Sequence, residues 1–118
     1  MKYSMKSYQI SNLTSYLLSK DAENDIREIV RYTLKNWGEK QVKLYRSALR
    51  KQFDKIGTNE VVCKYYSKTL PSVKFTIVKE HFIFYISPPN EKPIIIAVLH
   101  KSRDMVRHLS SRSKGTLY

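Results

Sequence analysis

Two amphipathic stretches hinged at a single glycine constrain this chain more than any other feature. From Asp21 the apolar positions are Ala22, Ile26, Ile29, Val30, Thr33 (through its methyl) and Trp37; the second set is Val42, Tyr45, Leu49, Phe53 and Ile56. Steps mostly of three and four residues put each set on one face of an α-helix. Ser19 or Asp21 caps the first helix, Glu23 and Asp25 lie where they complement its dipole, and Gly38 suits the C′ position that ends it. Gly57 is expected to stop the second. With Gly38 and a neighbour or two between them, the helices must fold back as an αα-hairpin. Two stripes side by side then need an apolar surface to cover.

The rest of the chain supplies that surface as a sheet. Thr14 to Leu18 reads as a short first strand, and residues 58 to 71 as a loop with a short strand at Val61-Val62-Cys63. Val73 to Val78, a tight Lys79-Glu80 turn and His81 to Ile86 form a hairpin rich in β-branched and aromatic residues. After the Pro88-Pro89-Asn90-Glu91 turn, Ile94 to Leu99 is apolar at every position, as in a central strand covered on both faces. A short C-terminal helix is expected from Ser102 through Met105, Val106 and Leu109. Residues 1–12 read as an N-terminal extension and 110–118 as a flexible basic tail, so that 1–118 is a single domain. The class is α+β, in the order β-α-α-β-β-β, with the hairpin packed on a small, mainly antiparallel sheet.

Charge narrows the partners. The chain carries 22 Lys and Arg against 10 Asp and Glu, a net +12 on 118 residues, which favours an anionic partner: nucleic acid, an acidic protein or a membrane surface. The most one-sided stretch is C-terminal, with Lys101, Arg103, Arg107, Arg112 and Lys114 against Asp104. A lone cysteine, Cys63, excludes an intramolecular disulfide and a Cys-based zinc site. The apolar run from Ile94 to Leu99 is far too short to span a bilayer, and the N-terminus has no apolar h-region. A cytoplasmic protein without membrane association is expected.

Several chemistries find no support in the residues. The only glycines are Gly38, Gly57 and Gly115, so neither a phosphate-binding loop nor a dinucleotide fingerprint can be written. His81, His100 and His108 do not form a metal-binding pair on one helix, and no carboxylate pair has a diagnostic spacing; neither a metal nor a cofactor is expected, and no small-molecule substrate. The serious catalytic candidate is metal-independent RNA cleavage by His81, Tyr85 and His100, with Lys74 and Lys79 as phosphate cations. Strand alternation places His81, Ile83 and Tyr85 on one face and Phe82, Phe84 and Ile86 on the other, so neither face is rich in polar groups. Packing or partner contact is therefore the preferred role for these aromatics. Trp37 is expected to staple the hairpin to the sheet, a protein-binding hot spot being the alternative. Lys35, Lys40, Lys43, Arg46 and Arg50 form a solvated helix face that would welcome an acidic segment.

The ordered set Ala22-x-x-Asp25-Ile26-x-x-Ile29-x-x-Tyr32-Thr33-x-x-x-Trp37-Gly38-x-x-Gln41-x-x-x-Tyr45 resembles the helical hairpin of ParE toxins, in the RelE/ParE superfamily of toxin-antitoxin systems. His81-Phe82-Ile83-Phe84-Tyr85, then Ile94 through Leu99 and His100-Lys101-Ser102-Arg103-Asp104, is similar to that family's later strands and ending. The sequence departs from the pattern in the extension at 1–12, in Ser72 where Gly is usual, and in Ser102-Arg103 where Arg-Met is commoner. The resemblance implies a toxin that inhibits DNA gyrase and is neutralised by a cognate antitoxin wrapped on the hairpin and sheet. RelE-type relatives instead cut messenger RNA on the ribosome, and for that alternative His81, Tyr85 and His100 are the candidate acid-base set. For gyrase or its DNA the candidate contacts are His100, Lys101, Arg103 and Arg107; for the antitoxin they are Lys35, Trp37, Lys43, Arg46 and Arg50. A basic nucleic-acid-binding module without toxicity is the third reading.

Overall fold

The computed structural model describes residues 14–61, 63–67, 70–104, 107, 109 and 112. Its elements are β1 (Leu17–Leu18), α1 (Lys20–Trp37), α2 (Glu39–Gly57), β2 (Lys64–Ser67), β3 (Leu70–Val78), β4 (His81–Ile86) and β5 (Ile94–His100). The strands form one five-stranded sheet in the order β1-β5-β4-β3-β2. All neighbours are antiparallel except β1, which runs parallel to β5. The α+β class, the helical hairpin and the mainly antiparallel sheet are as expected from the sequence.

The caps fix the hairpin. Ser19 is the N-cap of α1, its hydroxyl accepting from the Ala22 N–H at 3.0 Å. Gly38, at φ 87°, ends α1 and starts α2 in one residue, a left-handed backbone conformation that favours glycine. Gly57 stops α2 as expected. It is the last residue of α2, and a Cβ there would stand 1.9 Å from the Ser15 hydroxyl oxygen, so the close approach of the segment before β1 requires glycine.

Two apolar layers sandwich the sheet. On the helix side, Ala22, Tyr45, Leu49, Phe53 and Ile56 meet Val78, Ile83, Tyr85, Ile95 and Val98. On the far side, Val73, Phe84, Ile86, Ile96, Ala97 and Leu99 gather with Leu109. Each fully buried Ile, Leu or Phe contributes about 1.5–3 kcal/mol, so the all-apolar β5, covered on both faces, is the strand on which the fold most depends. The alternation expected for β4 holds. A bulge in β5 sets Phe84 opposite Ala97 but Tyr85 opposite Ile95, so Ile96 is skipped and joins Ala97 on the far side.

Three expectations are corrected. The first strand is Leu17–Leu18 rather than Thr14 to Leu18. The loop expected over 58–71 contains β2, and the strand lies at Lys64–Ser67, after the expected Val61-Val62-Cys63, of which Val62 lies outside the described residues. As an edge strand β2 has little apolar patterning: Tyr65 is 65% exposed, with the Lys74 ammonium 5.7 Å from its ring centroid. β3 begins at Leu70, not Val73, and tolerates Pro71 because pairing with β4 starts only at Lys74. The Lys79-Glu80 turn is as expected, with Lys79 left-handed at φ 52°.

Candidate functional site: a groove beside the last strand

An open groove of 870 Å³ runs between α1, the start of α2, the β3–β4 turn and the end of β5. Its apolar wall is Ile29, Tyr32 and Trp37, with Asp25 and Glu28 nearer the middle of α1 and Lys79, His81, His100 and Arg103 contributed from the sheet side. Trp37 does not staple the hairpin to the sheet: it is 70% exposed and Tyr32 65%. The helical period aims Trp37 along the apolar stripe, but at the last residue of α1 the side chain lines the groove instead of joining the core.

At the sheet end, three aromatic side chains from three elements meet. Register puts His81 of β4 opposite His100 of β5, and their rings are perpendicular with centroids 5.3 Å apart. His100 therefore does not stand alone, as its position at a strand end suggests. The Tyr45 hydroxyl of α2 hydrogen-bonds with His81 Nδ1. Burial, followed by the neighbouring His100 charge, lowers the His81 pKa to about 4, so the ring is neutral at pH 7. Burial also raises the Tyr45 phenol well above its usual range, with the Glu80 charge adding to the effect. The Ser102 backbone N–H donates to His100 Nδ1 at 3.1 Å, and the Ser102 hydroxyl lies 2.8 Å from the same nitrogen.

The expected catalytic trio is only partly assembled. His81 and His100 are adjacent, whereas Tyr85 is 4% exposed in the helix-side core. Burial and then a hydrogen bond with Cys63 push its phenol up. Tyr45, read from sequence as a packing residue, takes the position beside the histidines. Among the described residues no group of three or more metal-ligating side chains forms.

The expected target contacts sit where β5 ends. His100 and Arg103 line the groove, and Lys101 pairs with Glu80 at 2.8 Å, holding that carboxylate below its ordinary pKa. Arg107 is exposed, and its backbone N–H reaches Asp104 Oδ1 at 3.4 Å. Thus Asp104, not Ser102, offers the capping oxygen, because Ser102 is turned onto His100. Arg107, Leu109 and Arg112 have helical backbone; the other residues of the expected terminal helix lie outside the described residues. Of the expected antitoxin contacts, Trp37 lines the groove, whereas Lys35, Lys43, Arg46 and Arg50 are exposed on the hairpin outside it.

One further constellation closes the groove's acidic end. β1 pairs with only two residues of β5, leaving the β5 edge open beyond Ile95. There the Asp25 carboxylate accepts from the Val98 N–H at 3.0 Å and receives both Arg112 terminal nitrogens at 2.6 and 3.0 Å. Neither residue signals this in sequence: Asp25 looks like a dipole complement and Arg112 like part of a tail.

Residues 16–105 match the sequence model of the ParE toxin of type II toxin-antitoxin systems, parDE. The chain is 31% identical over 103 residues to Toxin ParE of Escherichia coli, covering 87% of this chain and 100% of that protein.

Proposed function

The chain belongs to the ParE toxin family of type II toxin-antitoxin systems, and from that membership we propose that it inhibits DNA gyrase by binding and is neutralised by a cognate antitoxin seated in the groove. The observation that carries the gyrase reading is the exposed basic segment at the end of β5. His100, Lys101, Arg103 and Arg107 all face solvent there, on a chain with net charge +12. Such a cluster suits an anionic protein surface or the DNA that gyrase holds.

The antitoxin reading rests on Trp37 and Tyr32. Large exposed aromatics in a concave surface are the usual anchors of a protein partner, and the exposed Lys35, Lys43, Arg46 and Arg50 of the same helical hairpin favour an acidic one. The groove itself carries both signs of charge, Lys79 and Arg103 together with Asp25, Glu28 and Glu80. The exposed cations outside it speed and orient association more than they tighten it.

The pairing of His81 with His100 favours one second reading, ribosome-dependent cleavage of messenger RNA, with Tyr45 where Tyr85 was expected. Induction in cells, with DNA supercoiling and message integrity followed together, separates the two. Loss of supercoiling and an SOS response before any message is cut supports gyrase inhibition; codon-specific cleavage with normal supercoiling contradicts it. Alanine at Lys101, Arg103 and Arg107 together should relieve growth arrest while leaving the fold intact.

A further inference from the structure

Beyond the residues that face the groove, the open edge of β5 holds a contact between the two ends of the domain. Leu109 is fully buried on the far side of the sheet, among Val73, Phe84 and Leu99. Three residues later, Arg112 stands at the β5 edge on the α1 side, with its side chain 15% exposed against 11% for Asp25. Its guanidinium binds Asp25 through both terminal nitrogens and also donates to the Ile96 carbonyl at 3.2 Å, a carbonyl to which the Ser19 hydroxyl reaches at 3.4 Å. Asp21 lies 3.9 Å from the same group.

A half-buried, bidentate arginine with a carbonyl partner is not a solvated tail residue. Leu109 thus lies in one apolar layer and Arg112 at the sheet edge against α1. Both anchored side chains follow His100, Lys101, Arg103 and Arg107 in the chain, and β5 precedes or contains them. The family's sequence model ends at residue 105, so both anchors lie outside the part that match describes.

We propose that Arg112, clamped on Asp25 and the Ile96 carbonyl, acts with Leu109 as a strap that positions the target-contacting residues His100, Lys101, Arg103 and Arg107. The assignment of those residues rests on the reading above; the strap itself does not. Both are positioning residues. They pre-organise the basic segment, so that the target does not have to order it on binding.

The conservative Arg112→Lys protein and three disruptive variants of the full chain test the strap; the disruptive ones are Arg112→Ala, Asp25→Asn and the double variant. Amide hydrogen exchange over residues 100–107 should accelerate about tenfold or more in each disruptive variant, with exchange in β4 unchanged. The double variant should be no worse than the worse single one, because both release the same contact. Growth arrest should weaken in parallel, and Arg112→Lys, which keeps the charge without the fork, should fall between wild type and alanine. Antitoxin affinity of Arg112→Ala should stay within about twofold of wild type, since Trp37 and Tyr32 are untouched.

Unchanged exchange over 100–107 in Arg112→Ala overturns the strap. So does a loss of arrest matched by an equal loss of antitoxin affinity, which would mark a general fall in stability. A wild-type protein that arrests growth without affecting gyrase removes the gyrase reading alone, and the strap is then judged on exchange and arrest.

Discussion

The Tyr45 hydroxyl and His81 Nδ1 form a hydrogen bond that ties α2 to the start of β4 at the floor of the groove. The bond links two residues 36 positions apart, and burial there, followed by the charge of His100, keeps His81 neutral.

Stability should therefore depend on pH through His81. Its folded pKa, about 4, is below its ordinary 6.5, so the unfolded chain binds the extra proton more readily between those values. The contribution is complete above pH 6.5 and is lost as pH falls toward 4. Allowing for partial exposure, we expect a loss of about 1–2 kcal/mol between pH 7 and 4.5. Chemical denaturation at a series of pH values measures it, and His81→Gln should flatten that slope.

Removing Asp25 should be more costly than removing an ordinary surface carboxylate. Asp25→Ala leaves the Val98 N–H without its acceptor at an open strand edge and Arg112 without its bidentate partner. A half-buried pair of this kind predicts a loss of about 2–3 kcal/mol, read as a lower urea midpoint with an unchanged slope.

Tyr85→Phe distinguishes core from catalyst. The side chain is buried and the hydroxyl faces Cys63, so its removal should cost about 1 kcal/mol in stability. Growth arrest should be unchanged. An arrest-deficient but folded Tyr85→Phe protein would return this residue to the chemistry of the site.

Trp37→Ala should separate folding from partner binding. Because the indole is 70% exposed, the melting temperature should move little, while antitoxin affinity measured by calorimetry should fall about thirtyfold or more, as for a hot-spot aromatic.

These residues also show which parts of the molecule are legible in sequence. Local chemistry is: the Ser19 cap, the Gly38 hinge, the Lys79-Glu80 turn and the apolar run of β5 each declare their element through period or backbone preference. Edge elements are less so, because β2 packs on one neighbour and its Lys64 and Tyr65 carry no strand pattern. The cross-chain contacts are not written in any local pattern. Asp25 meets Val98 and Arg112 across 73 and 87 residues, through a sheet edge whose exposure depends on how short β1 is. Likewise His100 gains its neighbour from the register of β4 on β5. The exposure of Trp37 is also not written in its spacing, because a helical period gives a side chain's direction but not what packs opposite it.

Whether the exposed cations at the end of β5 act on gyrase is decided with purified components. Supercoiling by DNA gyrase is measured against increasing toxin, wild type beside the Lys101, Arg103 and Arg107 triple-alanine protein, with antitoxin added back in a third series. The account predicts inhibition by wild type, at least about tenfold weaker inhibition by the triple variant at equal fold content, and relief by antitoxin. Full supercoiling at every toxin concentration, or equal inhibition by the two proteins, would contradict it.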